Sequence, residues 1–267
     1  MQRNRKPSFF STLILTPLLL VFLCAPSLAG DTLFQYSTID ALLAGLYDGK
    51  MTVEQLKFKG DFGLGTLNGI NGELILLEGQ AYNAAPGGHA ATPDDQSLIP
   101  FGAVAFFRDD ANIEMPAITS MAELNKQLLK RLPSENLFYA IRIDADFPTI
   151  KTRAIAKQQP PYKPLAEVVK QQVVVNLSGK GTLVGIYSPP FVKGVGVPGF
   201  HWHFLTEDRS KGGHVLDLAM ATATAQVDTL NDFTVRLPKD GAYDKLDLTG
   251  DKSKELHAVE KDTEHKQ

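Results

Sequence analysis

Three of the six histidines in this sequence lie close together, at His201, His203 and His214. Side chains alternate across a β-strand, so His201 and His203 are predicted to share a face. A polar stretch separates them from His214, and a hairpin with an even-length loop places His214 on that face too. Three imidazoles converging from two strands can hold a divalent metal and leave a fourth position open, as catalytic zinc sites do. The alternative is a pair of surface histidines on a strand.

Two further side chains could act beside such a metal. Arg153 follows a strand-like run, and its planar guanidinium suits a carboxylate substrate. Glu73 follows the turn signal Asn71-Gly72 and precedes an apolar run. A surface arginine and a solvent-facing glutamate explain the same positions equally well, so position alone leaves both roles open.

The composition of the chain excludes several classes of protein. Its 267 residues are 43% hydrophobic and 21% charged, which is typical of a soluble globular protein rather than a disordered, fibrous or multi-span membrane protein. The net charge of -3 provides no basic excess, so no nucleic-acid partner is expected. A single cysteine, Cys24, excludes an intramolecular disulfide and a cysteine-rich metal site.

Residues 1–29 are typical of a secretory signal peptide. Arg3, Arg5 and Lys6 precede an uncharged apolar run, and Ser27 and Ala29 occupy the small-residue positions of a cleavage site. The run is short for a membrane-spanning helix, although a retained N-terminal anchor is the alternative. We therefore expect a mature chain from Gly30, exported to the periplasm or the medium, with no stable membrane anchor after cleavage.

The remaining chain is predicted to be strand-rich and of the α+β (mixed α/β) class. Three prolines in 158–164 mark a boundary between an N-terminal α/β subdomain, 30–160, and a C-terminal strand-rich, metal-binding subdomain, 161–240. The C-terminal strands suggest an antiparallel sheet or partial barrel, and 241–267 is predicted to be a polar tail. Capping signals and apolar periodicity predict helices at 37–48 and 120–132 and a short helix at 164–170. Strands are predicted at 101–107, 137–146, 172–177, 181–187, 199–207, 214–219, 222–228 and 231–237, with two or three more in 60–82.

Several stretches resemble the acetolactate decarboxylases over almost the whole mature chain. They are GDFGLGT at 60–66, GEL at 72–74, PYKPL at 161–165 and GVGVPGFHWHFLTEDRSKGGHVLDL at 194–218. The last stretch is the most specific, because it joins the histidine pair, the turn and the third histidine in one string.

The resemblance implies a set of site residues and a fold. It implies a Zn²⁺ site formed by the three histidines and an active site that includes Glu73 and Arg153. It also implies a C-terminal glutamate near the metal, for which Glu260 is the nearer match and Glu255 a rival. Thr66 is a further candidate for substrate contact. The family fold is described as two α/β domains, and the resemblance suggests a homodimer.

The activity implied by the resemblance is zinc-dependent decarboxylation of 2-acetolactate to acetoin and CO2, a step of acetoin and butanediol formation. The metal would chelate the hydroxyl and ketone oxygens and stabilise an enediolate. Arg153 would orient the carboxylate, and Glu73 or Glu260 would act as the general acid. Two alternatives stay open: another metal-dependent lyase or hydrolase on this scaffold, and an exported metal- or carbohydrate-binding module without catalysis.

Overall fold

The computed structural model describes residues 1–2, 30–239 and 241–260 of the chain. The predicted signal peptide lies almost entirely outside the described residues, so cleavage and export stay predictions. Among the helices of the described part, none combines the length and the apolar character that crossing a bilayer requires.

A seven-stranded sheet forms one layer of the molecule. In sheet order its strands are β15 (Asp232–Arg236), β1 (Thr32–Tyr36), β8 (Phe101–Ala105), β3 (Phe62–Thr66), β4 (Glu73–Leu77), β5 (Gln80–Ala84) and β6 (Ala90–Ala91). Strands β1 and β15 run parallel, and the other neighbours run antiparallel. A separate two-residue pair joins β2 (Met51–Thr52) to β7 (Leu98–Ile99).

The second sheet is antiparallel throughout and curls on itself. In order its strands are β11 (Val173–Ser188), β12 (Gly199–Thr206), β13 (Gly212–Ala219), β10 (Phe138–Ala154), β14 (Ala223–Leu230) and β9 (Ala111–Met115). Strand β10 also pairs with β11 along its other edge, which closes the β10–β13 group into a small barrel. The predicted strand-rich α+β class with a C-terminal antiparallel sheet is confirmed.

The sequence predicts a break between two strands where the structure has one continuous strand. The predicted strands 172–177 and 181–187 are one strand, β11, which passes through Gly179 with φ of +103°. Opposite it, the register of β10 shifts between Phe147 and Ile150. A glycine of this kind within a strand marks an irregular, bent ladder rather than a chain reversal.

The helices are short. They are α1 (Ile39–Leu43), α2 (Val53–Lys57), α3 (Met121–Leu129), α4 (Leu165–Val168) and α5 (Ser253–Glu260). Ser120 caps α3 as predicted, accepting from the backbone N–H of Glu123. The helix predicted at 37–48 is only α1, and its N-cap is Thr38 rather than Ser37, the first residue of the predicted helix. It ends early because Gly45 adopts φ of +96° and its N–H bonds the Leu42 carbonyl, a glycine-terminated C-cap.

The two sheets exchange strands across the predicted boundary near residue 160. Strands β9 and β10 precede it yet belong to the second sheet, and β15 follows it yet belongs to the first. The division into subdomains by sequence therefore stays a prediction. Strand β4 of the first sheet lies against β12 and β13 of the second, and this contact positions the site described next.

Candidate metal centre

The three clustered histidines converge in the structure. Strand alternation puts His201 and His203 on the same face of β12, and His203 lies directly opposite His214 in the β12–β13 ladder. One ring nitrogen from each histidine lies within 4.8 Å of the others. Among the described residues this is the group of His, Cys, Asp and Glu side chains that could hold a metal ion.

His203 and His214 each have a ring nitrogen that is free for a metal ion, whereas Nε2 of His201 lies 3.1 Å from Nδ1 of His214. Within the described part of the chain, the buried Nε2 atoms of His203 and His214 have no hydrogen-bond partner. Such orphaned groups cost about 1–3 kcal/mol each unless something binds them. Nδ1–H of His203 donates to the Leu74 carbonyl at 2.9 Å, so its Nε2 carries the free lone pair. These residues fit a metal ion.

Electrostatics keep the histidines neutral, which is the form that binds a metal. Burial, together with the positive charge of Arg153, lowers the pKa of His201 to about 3. Burial likewise holds the pKa of His203 and of His214 well below the usual range. At neutral pH no proton therefore competes with a metal for these nitrogens.

Two glutamates face the histidines from different parts of the chain. Glu73 begins β4, with Oε2 3.4 Å from Nε2 of His203. Glu260 ends α5, with Oε2 3.8 Å from Nε2 of both His201 and His214. Burial raises the pKa of each carboxyl to about 7, against the opposing effect of Arg153. The rival Glu255 is exposed and pairs with Lys252, so the structure places Glu260 at the centre.

Arg153 lies at the end of β10 and is buried. It pairs with His214 across the β10–β13 ladder. Its Nη1 donates to Oε1 of Glu73 at 3.3 Å, and its Nη2 donates to the Val259 carbonyl at 3.3 Å. Its buried Nε has no partner within the described residues. The guanidinium is thus fixed beside the histidines with donor capacity to spare for an anion.

Thr66 ends β3 at the edge of the same space. Its hydroxyl donates to the Gly72 carbonyl at 2.7 Å, which ties the end of β3 to the start of β4. The side chain is buried, and its oxygen keeps the ability to accept a hydrogen bond. The structure therefore brings every predicted site residue to one place.

Most of these residues line a small chamber with a volume of about 50 Å³. Its polar side chains are Thr66, Glu73, Arg153, His201, His214 and Glu260, and the rest of its lining, the apolar wall, is mostly aliphatic. Sequence reasoning missed the apolar wall because aliphatic side chains carry no chemical signal, and missed the helix that closes it because α5 is mostly charged. The apolar wall includes Leu42, Ile70, Ile155, Leu165 and Val259. Glu260 also lines a larger groove of about 890 Å³, to which Ser253, Leu256 and His257 of α5 contribute.

The site defines a class of protein. Three neutral imidazoles, two of them buried, lie beside an arginine with a free donor and two carboxyl groups of raised pKa, a set that could hold a metal ion next to a small anionic molecule, as enzyme active sites do. The surface-pair explanation of the histidines is excluded, since His203 and His214 are both buried.

The chain is similar to known proteins along most of its length. The alpha-acetolactate decarboxylase family profile matches residues 33–250. The alpha-acetolactate decarboxylase of Methanosarcina mazei is 43% identical over 234 residues, covering 87% of this chain and 81% of the relative. The crystal structure of alpha-acetolactate decarboxylase from Bacillus subtilis superposes with a TM-score of 0.83 at 34% identity, covering 86% of this chain and 99% of that chain.

This chain belongs to the alpha-acetolactate decarboxylase family, whose members are carboxy-lyases. The family resemblance predicted from the sequence is confirmed.

Proposed function

We propose that the chain decarboxylates 2-acetolactate to acetoin and CO2 with a zinc ion held by His201, His203 and His214. The observation that carries this proposal is the neutral histidine cluster, in which two buried imidazoles have unpartnered Nε2 atoms beside a buried arginine. The names of the relatives supply the substrate.

The donor set favours zinc. Three imidazole nitrogens with carboxylates close by are typical of catalytic zinc, which keeps one position for substrate or water. When bound there, zinc supplies a Lewis acid that withdraws electron density from the substrate's ketone and hydroxyl oxygens. Glu260 provides a carboxylate that reaches toward the same nitrogens from α5.

Arg153 binds and orients the carboxylate that leaves as CO2. Its Nη1 and Nη2 are held by Glu73 and the Val259 carbonyl, so the guanidinium plane is fixed before substrate arrives. Preorganised donors of this kind lower the entropic cost of reaching the reactive geometry. Burial strengthens the interaction, because little water competes for the guanidinium.

Glu73 donates the proton that replaces CO2 on the substrate carbon. Its burial raises the pKa to about 7, so a large fraction of the carboxyl is protonated at neutral pH. A general acid works best with a pKa near the operating pH. Glu260 has a similarly raised pKa and is the second candidate for this proton transfer.

A substrate comparison tests the proposal against another lyase on the same scaffold. Purified mature chain is given racemic 2-acetolactate and, separately, acetoacetate, which has a β-keto carboxylate without the hydroxyl. We expect acetoin from 2-acetolactate and far slower decarboxylation of acetoacetate. Decarboxylation of acetoacetate with no acetoin formed from 2-acetolactate would refute the proposed substrate.

The alternative of a carbohydrate-binding module has little support. Such modules use exposed aromatic side chains for stacking, and the single tryptophan, Trp202, is 1% exposed. Its indole N–H donates to Oδ1 of Asn125 at 2.9 Å on the side of β12 away from the histidines. This is the packing role that strand alternation predicts.

Export and dimerisation are further proposals. The charge and apolar pattern of residues 1–29 supports export to the periplasm or medium, and the family resemblance supports a homodimer. Amino-terminal sequencing of the secreted chain tests the first, with Gly30 expected at the start. Light scattering of the purified chain tests the second, with twice the monomer mass expected.

A further inference from the structure

Strand β13 contains one residue more than the part of β10 that lies opposite it. The register shifts after Lys151, so Leu216 of β13 has no counterpart on β10. Such a β-bulge is common beside active sites, where it re-aims a side chain. Without the extra residue, Val215 would lie opposite Arg153, whereas with it His214 does. Because directly opposite residues share one face of a sheet, the bulge puts the imidazole and the guanidinium on the same side.

Gly213 lies directly against this part of β10. A Cβ atom at position 213 would lie 2.8 Å from the Arg153 carbonyl oxygen and 3.0 Å from Cβ of Thr152. The backbone of Gly213 also has φ of +152°, which residues with a side chain rarely adopt. Glycine within a strand often marks a bulge or the close approach of another backbone. The lack of a side chain thus lets β13 and β10 approach closely where Arg153 faces His214.

The neighbouring glycine has different partners. A Cβ atom at Gly212 would meet the Phe204 carbonyl oxygen of β12 and the Ile75 side chain of β4. Gly212 therefore fits β13 to β12 and β4, whereas Gly213 fits it to β10. Of these two glycines, it is Gly213 that governs the strand carrying the arginine.

At this contact β13 is held more firmly than β10. The N–H of Gly212 donates to the Gly88 carbonyl at 2.9 Å, and His214 pairs with His203 across the β12–β13 ladder. Arg153, in contrast, is the next-to-last residue of β10. A clash between the two strands would therefore be relieved by movement of Arg153 rather than of His214.

The Arg153 side chain tolerates little movement. Its hydrogen bonds to Oε1 of Glu73 and to the Val259 carbonyl are both 3.3 Å long, slightly beyond the usual range for N–H···O bonds. Relief of the 2.8 Å contact requires a shift of a few tenths of an ångström. A shift of that size at Arg153 would weaken both hydrogen bonds and turn the guanidinium.

We propose that Gly213 is a positioning residue that aligns Arg153 with His214 and so sets the direction of the guanidinium in the chamber. The inference rests on the proposed function, in which Arg153 binds the substrate carboxylate. A side chain at position 213 would weaken the steps that need this carboxylate. It would spare the binding of zinc and of acetoin, which has a hydroxyl and a ketone but no carboxylate.

The test measures three quantities in Gly213→Ala: kcat/KM for 2-acetolactate, the inhibition constant of acetoin and zinc per chain. We expect kcat/KM to fall about tenfold to a hundredfold, because a misplacement of about 1 Å can cost a hundredfold in rate. The inhibition constant of acetoin and zinc per chain should keep their wild-type values. A general disturbance of the fold would change all three.

Gly179→Ala is the matched control. Gly179 is also a strand glycine opposite β10 with positive φ, at +103°, but apart from its chain neighbours no described atom lies within 4 Å of its Cβ position. This variant adds backbone strain without the contact, so all three quantities should keep their wild-type values. If Gly213→Ala fails to fold, Thr152→Ala loosens the same contact without a clash, and kcat/KM should fall by a smaller factor.

A double-mutant cycle tests whether Gly213 acts through Arg153. In Arg153→Lys the guanidinium is already absent, so adding Gly213→Ala should lower kcat/KM little further. Losses that multiply in the double variant would show that Gly213 acts independently of Arg153 and would overturn the inference.

The single variants can overturn the inference as well. Unchanged kcat/KM in folded, zinc-loaded Gly213→Ala would do so, as would unchanged kcat/KM in Thr152→Ala where Gly213→Ala does not fold. Loss of zinc or of acetoin binding in Gly213→Ala would assign the contact to His214 instead. No acetoin from the wild-type chain is a distinguishable result, because it refutes the proposed function itself.

Discussion

The metal chamber has two sides that differ in how they are built. The sheet side consists of strand residues from β4, β10, β12 and β13, and its His203, His214 and Arg153 are buried in paired ladders. The cap side consists of α5, α4 and the turn between β3 and β4 that carries Ile70. In α5 only Val259 is buried, and the Glu260 side chain is 19% exposed. Under the proposed function, the sheets would hold the metal ion and the cap would shape the space for substrate.

The largest expected effect comes from the sheet side. His203→Ala removes one ligand and leaves the Leu74 carbonyl without its donor, so zinc binding and acetoin formation should be lost together. Zinc per chain should fall to near zero, and turnover should fall more than about a thousandfold. His89→Ala and His257→Ala, at exposed histidines, are controls that should keep both. An active, zinc-loaded His203→Ala chain contradicts the site.

Glu73→Gln should separate proton transfer from metal binding. Glutamine keeps the size of the side chain and an acceptor for Arg153 but cannot donate the proton of a carboxylic acid. We expect zinc to stay bound and kcat to fall about a hundredfold to ten-thousandfold. Glu255→Gln, at an exposed glutamate of α5, is the control. Undiminished kcat in Glu73→Gln would assign proton transfer to another group.

Arg153→Lys should weaken substrate orientation without removing the metal. A lysine ammonium cannot reproduce the planar fork that bonds Glu73 and the Val259 carbonyl together. We expect unchanged zinc per chain and a loss in kcat/KM of about a hundredfold. Arg142→Lys, in a partly exposed ion-pair network, should have wild-type activity. Full activity in Arg153→Lys would remove the guanidinium from the mechanism.

The smallest expected effect concerns pH and joins the two sides. In the metal-free chain burial raises the pKa of Glu260 to about 7, so its carboxyl is partly protonated at neutral pH. A cation held by the histidines beside it favours the ionised carboxyl, so zinc binding should release about half a proton at pH 7. Zinc affinity should fall by up to about tenfold per unit as pH drops below 7. Calorimetry in buffers of different ionisation enthalpy measures this, and proton-independent binding at pH 7 would contradict it.

The sheet side could be predicted from sequence because strand alternation is a strict rule. The spacing of His201 and His203 places both on one face, and the short loop before His214 fixes its register. On the cap side the short helix at 164–170 was predicted, and Glu260 followed from the family resemblance. The helix α5 itself was not predicted because it is short and mostly charged, and Ile70 carries no signal in sequence for its place in the chamber. The sequence left two roles open for Arg153 and Glu73, as surface residues or as active-site residues. Only the packing of β4 on β12 and β13 shows that the two side chains meet.

The same physics explains the elements that were misjudged. Gly179 and Gly45 are both glycines with positive φ, yet one lies within a strand and the other ends a helix. The sequence shows which residue can adopt a positive φ. The paired strand or the packed core determines whether that residue continues a strand or ends a helix.

The most direct test of this account is a paired measurement of zinc and acetoin on the purified mature chain. Zinc per chain and acetoin formation from 2-acetolactate are measured before chelation, after chelation and after zinc is restored. We predict one zinc per chain, loss of activity with its removal and recovery on its return. Acetoin formed equally fast by chain verified to be free of metal would contradict the central role of the three histidines.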